Sequence, residues 1–252
     1  MTLAIPKAYV LMPAYNEAAS LRELVPDIVK ALRARGIAFT IVVVNDGSRD
    51  ETAAVLQNFP PDYAVQTLSH EVNRGYGASL RTGYLWIVRQ ARPDEAALSL
   101  DADRTHSPAY FASMLDKLSE GFDVVTASYM TAGGRVFGVP LRRRIMSQGA
   151  NVLFRCAARI DGTHAYTNGF RVYRISALQA AFGRYGDRLI EETGFAGGTE
   201  LLLKVCAGGA RTAEVPFDLH YENRGADSKI HIRRTIQGYL SVLRRMRDWK
   251  SG

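Results

Sequence analysis

The sequence lacks a long apolar run, a cysteine framework, an internal repeat and a low-complexity segment. No apolar run reaches the roughly 18 residues that a membrane-spanning helix needs. The two cysteines, Cys156 and Cys206, stand outside any CxxC or cysteine–histidine spacing, which argues against structural zinc and a disulfide scaffold. The N-terminus has no basic segment followed by an apolar one, so we expect no signal peptide. These absences predict a globular protein of the cytoplasm, either free or peripheral on the cytoplasmic face of a membrane.

Acidic residues are missing from one long stretch of the chain. Between Asp123 and Asp161 there is no aspartate or glutamate, although the net charge of the whole chain is only +7. A solvated surface usually mixes both signs, so this stretch favours a surface that faces an anion, such as nucleic acid, anionic lipid or a phosphorylated small molecule. Its arginines are Arg135, Arg142, Arg143, Arg144, Arg155 and Arg159.

The first half alternates apolar runs with segments of helical period. The runs end in the polar turns PAYNE, NDGS and DAD, and a helical pattern follows each turn. This alternation predicts βαβ units and a mostly parallel central sheet flanked by helices, an α/β fold. Ligands of such sheets bind beyond the carboxyl ends of the strands, which is where these turns lie. With no linker in the sequence, we expect one domain over residues 1–252.

The C-terminal segment IRRTIQGYLSVLRRMRDWK has the pattern of a basic amphipathic helix. Such a helix can lie on an anionic bilayer, or its apolar face can pack on the domain. The pattern leaves both alternatives open. The residues near one helical face are Ile232, Ile236, Tyr239, Leu240, Leu243, Met246 and Trp249.

The DAD turn offers two carboxylates, Asp101 and Asp103, at the end of an apolar run. Mg²⁺ and Mn²⁺ accept carboxylate oxygen and usually keep water and substrate phosphate as further ligands. The turn therefore indicates a divalent-cation site that a phosphate-bearing substrate completes, although a solvated strand end has the same pattern. In NDGS, Asp46 could bond to a nucleobase or a ribose hydroxyl, or it could serve a helix-capping turn.

Six segments together resemble family 2 glycosyltransferases. MPAYNEAASL, VVVNDGSRDET, NRGYGASLRTGY, LSLDADRTHSP, TNGFRVYR and EVPFDLHYENRGADSK occur here in the order found in that family. More narrowly, the chain is similar to the dolichol-phosphate mannosyltransferase group, which makes polyprenyl-phosphate sugars. The resemblance covers about residues 8–240. It implies a GT-A fold, a nucleotide-sugar donor, a divalent Mg²⁺ or Mn²⁺ ion and inversion at the anomeric carbon.

The resemblance also implies a division of the chain and a role for particular residues. Residues 1–125 would form the half that binds the nucleotide sugar, residues 126–230 the half that binds the acceptor, and residues 231–252 the amphipathic helix. Asp101, Ala102 and Asp103 would contact ribose, diphosphate and metal, with Asp103 as the expected direct metal ligand. The other donor-binding positions would be Pro13, Tyr15, Glu17, Val44, Asp46, Arg224 and Lys229.

Three positions depart from the family pattern. Thr105 stands where relatives can supply a second metal ligand, and a hydroxyl is a weaker ligand than a carboxylate or amide oxygen. Ser128 stands where relatives often have an arginine expected to meet a phosphate. Asn223 stands where relatives can carry another arginine, and Arg224 follows it. We therefore expect Thr105 to complete the metal shell only weakly and the phosphate contacts to be rearranged.

The acceptor decides which further groups are needed. A phosphate monoester is already largely ionised at neutral pH, so it needs cations for positioning, and Arg135, Arg142, Arg143 and Arg144 are the candidates. A hydroxyl acceptor would need a carboxylate base, for which Asp161 and Glu200 are the candidates.

We expect a donor such as GDP-mannose or a UDP-hexose, and a polyprenyl phosphate acceptor at a membrane surface. A separate membrane-anchoring subunit is a further possible partner, and no nucleic acid is expected. The alternatives are a same-fold enzyme with a soluble hydroxyl acceptor and a non-catalytic module that binds a nucleotide sugar or nucleic acid.

Overall fold

The computed structural model describes residues 3–223 and 232–249. The strands are β1 (Lys7–Ala14), β2 (Ala38–Asp46), β3 (Val65–His70), β4 (Ala96–Ser99), β5 (Val124–Ser128), β6 (Arg135–Phe137), β7 (Arg171–Arg174), β8 (Thr212–Pro216) and β9 (Asp218–His220). The helices are α1 (Ala18–Arg33), α2 (Thr52–Gln57), α3 (Tyr76–Gln90), α4 (Phe111–Ser119), α5 (Leu141–Ala158), α6 (Ile175–Tyr185), α7 (Gly197–Cys206) and α8 (Ile232–Trp249).

A seven-stranded sheet forms the centre of the molecule, with the strand order β3-β2-β1-β4-β7-β5-β8. Its strand pairs are parallel except those of β7, which runs antiparallel to both β4 and β5. The predicted mostly parallel α/β sheet is confirmed. The antiparallel insertion of β7 was not predicted, because a four-residue strand has the same pattern in either direction. A separate pair, β6 with β9, was also missed.

The sheet is covered on both faces, as a parallel sheet requires. Side chains alternate along β1: Val10 and Met12 join one core cluster with α1 and α4, while Tyr9 and Leu11 join the other with α3, α6 and α7. Continuous apolar runs in the strands therefore reflect burial on both faces.

Helix α8 packs part of its apolar surface on the domain and leaves another part exposed. Tyr239, Val242 and Trp249 are buried against the domain. Ile236 and Leu240, one turn apart, are exposed. Within the described residues no helix combines the length and apolarity needed to cross a bilayer.

The strand order brings the three polar turns together. β1 lies between β2 and β4 in the sheet, and it is parallel to both. Their carboxyl ends therefore meet at one edge, where PAYNE, NDGS and DAD stand side by side.

Candidate active site

A cavity of about 560 Å³ opens at this edge of the sheet. We call it the larger cavity. It is bounded by the three turns, by the start of α3, by residues 192–196 and by the inner face of α8. The sequence-predicted residues on its wall are Pro13, Tyr15, Glu17, Asp46, Asp101, Ala102, Asp103 and Arg143.

A second cavity of about 120 Å³, here the smaller cavity, adjoins the first. Asp101, Asp103 and Arg143 line both of them, as do Tyr76 and Phe195. The two carboxylates of the DAD turn therefore lie at the boundary between the two cavities.

The first two turns are locked to each other by Asn16. This residue has a left-handed backbone, with φ of 53°, a conformation that asparagine tolerates better than most residues. Its N–H donates to Ser48 Oγ over 2.9 Å, and its Oδ1 accepts the N–H of Arg49 over 2.8 Å. The PAYNE turn thereby holds the NDGS turn in place beside it.

Asp46 anchors the start of α3. Its carboxylate is hydrogen-bonded to His70 Nδ1 at 2.6 Å and accepts the N–H groups of Arg74 and Gly75, both at 2.8 Å. The side chain borders the larger cavity but is almost completely buried. Val44, two residues earlier, was expected to contact the nucleoside; its side chain is instead wholly buried in the core and does not line the cavity.

Thr105 is hydrogen-bonded to the carboxylate of the DAD turn. Its hydroxyl and its N–H both donate to Asp103 Oδ1, over 2.6 and 3.2 Å. These bonds orient the carboxylate, and the expected role of Thr105 as a weak metal ligand stays a prediction. The next residue, His106, supports the other aspartate: its Nδ1 accepts the N–H of Asp101 over 3.1 Å, and its ring stacks on Phe170.

Asp101 is a half-buried residue whose carboxyl oxygen Oδ1 is itself buried. Among the described residues no group donates to Oδ1 with ordinary hydrogen-bond geometry. Burial raises the pKa of Asp101 and the neighbouring Asp103 carboxylate adds to this shift, whereas His106 and the hydroxyl of Tyr76 oppose it. A buried oxygen of this kind is a candidate ligand, because polar atoms deep in proteins normally have a partner.

The pair fits an octahedral cation that keeps positions for a substrate. Mg²⁺ and Mn²⁺ are commonly held by one or two carboxylates together with water and phosphate oxygens. The described residues contain no group of three or more His, Cys, Asp or Glu side chains that could enclose a metal by itself. Asp101 and Asp103 would therefore supply an incomplete shell, which a diphosphate in the larger cavity could complete.

The structure separates the four candidate arginines. Arg143 lines both cavities and Arg144 lines the smaller one. Arg143 donates to the Tyr221 hydroxyl over 2.8 Å, and its guanidinium lies over the same ring. Arg135 pairs with Asp218 at 3.2 Å outside both cavities, and Arg142 is exposed away from them.

Arg171 is a buried cation that the sequence pattern did not reveal. It is 1% exposed and lines the smaller cavity. Its guanidinium donates to the carbonyls of Ala165, Tyr166 and Gly198 and to Thr126 Oγ1. These partners are neutral, so they do not cancel the positive charge that Arg171 places at the wall of the smaller cavity. Its position in the predicted strand FRVYR concealed it, because an arginine in such a strand is expected to face solvent.

The two candidate bases lie elsewhere. Asp161 is exposed and lines neither cavity. Glu200 is wholly buried in α7, where it pairs with Lys204 at 2.8 Å and accepts the N–H groups of Glu191 and Glu192. Because both of its oxygens are engaged and it is absent from the cavity walls, Glu200 is corrected to a structural residue.

Residues 192–196 and α8 form a wall that was not predicted. Gly77, at the start of α3, donates its N–H to the carbonyl of Thr193 over 2.8 Å. From α8, Arg234, Thr235 and Gly238 reach the larger cavity. The sequence GFAGG could have indicated this wall, because its glycines allow another backbone segment to pack closely against it. The predicted donor-binding residues Arg224 and Lys229 lie outside the described residues.

The whole structure is similar to a solved glycosyltransferase from Mycobacterium tuberculosis. Glucosyl-3-phosphoglycerate synthase in complex with Mn²⁺, uridine diphosphate and glucosyl-3-phosphoglycerate matches with a TM-score of 0.63 and 15% identity, over 98% of this chain and 80% of that chain. The same enzyme in complex with phosphoglyceric acid gives a TM-score of 0.66. This likeness shows the fold, which is of GT-A type.

Sequence comparison gives the family. The model described as Glycosyl transferase family 2 matches residues 9–182. A dolichol-phosphate mannosyltransferase of Pyrococcus furiosus is 28% identical over 97% of this chain, which spans 64% of that relative's length. A polyprenol monophosphomannose synthase of Mycolicibacterium smegmatis is 30% identical over 84% of this chain and 76% of that relative's length. The chain belongs to glycosyl transferase family 2.

Proposed function

We propose that the protein transfers a hexose from a nucleotide-diphosphate sugar to a polyprenyl phosphate, with inversion at the anomeric carbon and with Mg²⁺ or Mn²⁺. One observation carries this proposal. The larger cavity has carboxylates at the strand ends, whereas the smaller cavity has Arg143, Arg144 and Arg171 on its wall. Among the described residues that line the smaller cavity, the carboxylates are Asp101 and Asp103. The names of the relatives, which refer to mannose and to dolichol or polyprenol, support the same donor and acceptor classes.

The donor would occupy the larger cavity, which residues 1–125 mainly form. Tyr15, Glu17 and Asp46 would border its nucleoside, and Asp101 and Asp103 its diphosphate. We retain Arg224 and Lys229 as proposed diphosphate contacts. When bound at the two aspartates, the divalent cation would stabilise the negative charge that develops on the leaving diphosphate.

The acceptor phosphate would occupy the smaller cavity, in the half formed by residues 126–230. At neutral pH a phosphate monoester carries enough negative charge to attack without a general base. Arg143 and Arg144 would hold its oxygens and aim one of them at the anomeric carbon, in line with the departing diphosphate. The buried charge of Arg171 would add attraction without contact. No proton has to be removed in this step, which agrees with the positions of Asp161 and Glu200 outside the cavities.

A transfer assay tests the proposal. The purified chain is incubated with Mn²⁺ and GDP-mannose or UDP-glucose, with a polyprenyl phosphate in detergent or with soluble hydroxyl acceptors. We expect a glycolipid product of inverted anomeric configuration. Asp103→Asn should lose at least about 100-fold in rate, as removal of a key electrostatic group usually does. Asp116→Asn is a matched control, because Asp116 is exposed and pairs with Arg35 on the surface.

The acceptor part is tested separately. Arg144→Gln should raise the KM for the lipid phosphate more than the KM for the donor, since Arg144 lines the smaller cavity and not the larger one. Turnover with soluble hydroxyls and none with any lipid phosphate would overturn the acceptor assignment. Metal-independent turnover would overturn the assigned role of the two aspartates.

A further inference from the structure

Helix α5 presents large apolar side chains to solvent. Leu141, Ile145 and Val152 are 70, 60 and 61% exposed. Spacings of four and seven residues put them on one helical face, and Cys156 continues the same face and is exposed. The opposite side of α5 is covered, because Phe154 is fully buried in the core. In a globular protein the apolar face of a surface helix normally turns inward, so this outward face indicates contact with something else.

Helix α8 repeats the arrangement next to α5. Ile232, Ile236 and Leu240 are between 41 and 44% exposed and follow one another at intervals of four. The two helices pack together, with the rings of Phe154 and Tyr239 at a centroid distance of 5.6 Å. Two neighbouring helices therefore each carry an exposed apolar strip, which together we call the α5–α8 surface.

The charge carried by the two helices is almost entirely positive. Helix α5 contains no aspartate or glutamate, and α8 contains one acidic residue, Asp248. Arginines close to an anionic membrane are attracted by its negative surface potential. Among the described side chains of the two helices, the exposed arginines that line neither cavity are Arg142, Arg155, Arg233 and Arg244.

We propose that the α5–α8 surface docks on an anionic lipid bilayer, with its apolar strips in the headgroup region and its arginines at the lipid phosphates. The inference deepens the proposed function, on which its functional meaning rests, because the inner faces of the same helices line the smaller cavity. Arg143 and Ser147 reach that cavity from α5, and Thr235 and Tyr239 reach it from α8. Docking through the outer faces brings this cavity close to the membrane.

The chain carries its own reporter for this contact. Cys156 is exposed on α5, whereas burial raises the pKa of Cys206 to about 12 and makes that thiol unreactive near neutral pH. An environment-sensitive fluorophore coupled through a maleimide should therefore label Cys156 selectively. With vesicles of phosphatidylglycerol and phosphatidylcholine we expect a blue shift and quenching by brominated lipid. Phosphatidylcholine vesicles alone should give a much smaller change, and added salt should weaken the response.

Vesicle co-sedimentation of unlabelled variants gives the matched comparison. The double variant Leu141→Gln/Ile145→Gln should bind anionic vesicles at least about tenfold more weakly, because two apolar side chains no longer leave water. Leu3→Gln/Val72→Gln changes two exposed apolar residues elsewhere on the molecule and should bind like the unchanged chain. Arg142→Gln/Arg155→Gln should lose the preference for anionic lipid, because it removes two positive charges from the surface. Neither arginine lines a cavity, so this variant leaves the cavity walls unchanged.

Two outcomes would overturn the inference. One is unchanged fluorescence of labelled Cys156 with anionic vesicles at low salt. The other is a dimer in sedimentation velocity that Leu141→Gln/Ile145→Gln dissociates while vesicle binding stays the same, which would assign the surface to a second copy. Nucleotide-induced thermal shifts, measured without lipid, report on the donor site independently. Failure of docking can thus be distinguished from failure of the proposed function.

Discussion

The hydroxyl of Thr105 donates to Asp103 Oδ1 over 2.6 Å. This bond makes Thr105 a positioning residue for the carboxylate at the boundary of the two cavities. The family pattern led us to expect a weak metal ligand at this position. Asp103 itself lies on the walls of both cavities.

Thr105→Val should weaken metal use without unfolding the protein. Hydrogen bonds to charged groups contribute about 1.5–3 kcal/mol, so the Mn²⁺ concentration for half-maximal activity should rise about tenfold or more. Thr105→Ser keeps a hydroxyl and should behave like the unchanged chain. Equal metal requirements of the valine and serine variants would contradict the positioning role.

Gly77→Ala should disturb the wall of the larger cavity. A Cβ at Gly77 would lie 2.0 Å from the carbonyl oxygen of Glu192 and 2.8 Å from that of Gly194. Backbone atoms cannot move aside easily, so we expect the free energy of unfolding to fall by about 1–3 kcal/mol, as in overpacked sites. We also expect weaker donor binding, because these carbonyls belong to the wall of the larger cavity. Urea unfolding and nucleotide-induced thermal shifts measure the two effects.

Gly183→Ala is the control for this substitution. Gly183 is also in a helix, and among the described residues no neighbouring atom lies within 4 Å of the position that a Cβ would take. Alanine should raise stability by up to about 1 kcal/mol through helix propensity. Similar effects of the two alanines would show that the close approach at Gly77 is unimportant.

Lys204→Met should destabilise the protein strongly. The side chains of Lys204 and Glu200 are both fully buried, with Nζ 2.8 Å from Oε1. Removal of the lysine leaves the buried negative charge of Glu200 without this cationic partner, which typically costs about 3–5 kcal/mol of stability. Lys117→Met, which breaks an exposed pair with Glu120, should cost less than about 1 kcal/mol. A small effect of Lys204→Met in urea unfolding would contradict a structural role for the pair.

Asp50→Asn should reduce stability near neutral pH but much less in acid. Burial alone would raise the pKa of Asp50, but hydrogen bonds from the Thr52 hydroxyl and from the N–H groups of Thr52 and Ala18 outweigh it and lower the pKa. The carboxylate therefore stabilises the fold above the ordinary value of 3.8, and this contribution is lost as the pH falls through the lower folded-state value. Thermal unfolding of both proteins over this range measures the difference, and a constant gap would contradict the prediction.

The N-terminal half was largely predictable because local patterns are sufficient there. Each of β1, β2 and β4 is an apolar run followed by a polar turn, and parallel strands bring their carboxyl ends to one edge. Asp101, Asp103 and Tyr15 could be assigned to one site on that basis, and they line the same cavity. Val44 could not be excluded, because the side of the strand that a residue occupies depends on how the sheet is covered.

The C-terminal half was less predictable because the smaller cavity is assembled from distant segments. Four arginines close in sequence were equivalent candidates, yet only the packing of α5 turns Arg143 and Arg144 toward the cavities. Arg171 was overlooked since its carbonyl partners come from residues 165–198, which no local pattern connects with β7. Glu200 was a candidate base in the sequence, but its burial beside Lys204 makes it structural.

The sequence by itself determined the α/β class, the order of the elements in the N-terminal half and the acidic turns at the strand ends, because these follow from hydrophobic period and turn chemistry between near neighbours. Tertiary structure alone decided which charges are buried, which arginines face a cavity and which apolar residues of α5 and α8 remain outside. Those properties depend on contacts between segments far apart in the chain, and the free energy of burial is set by the completed packing.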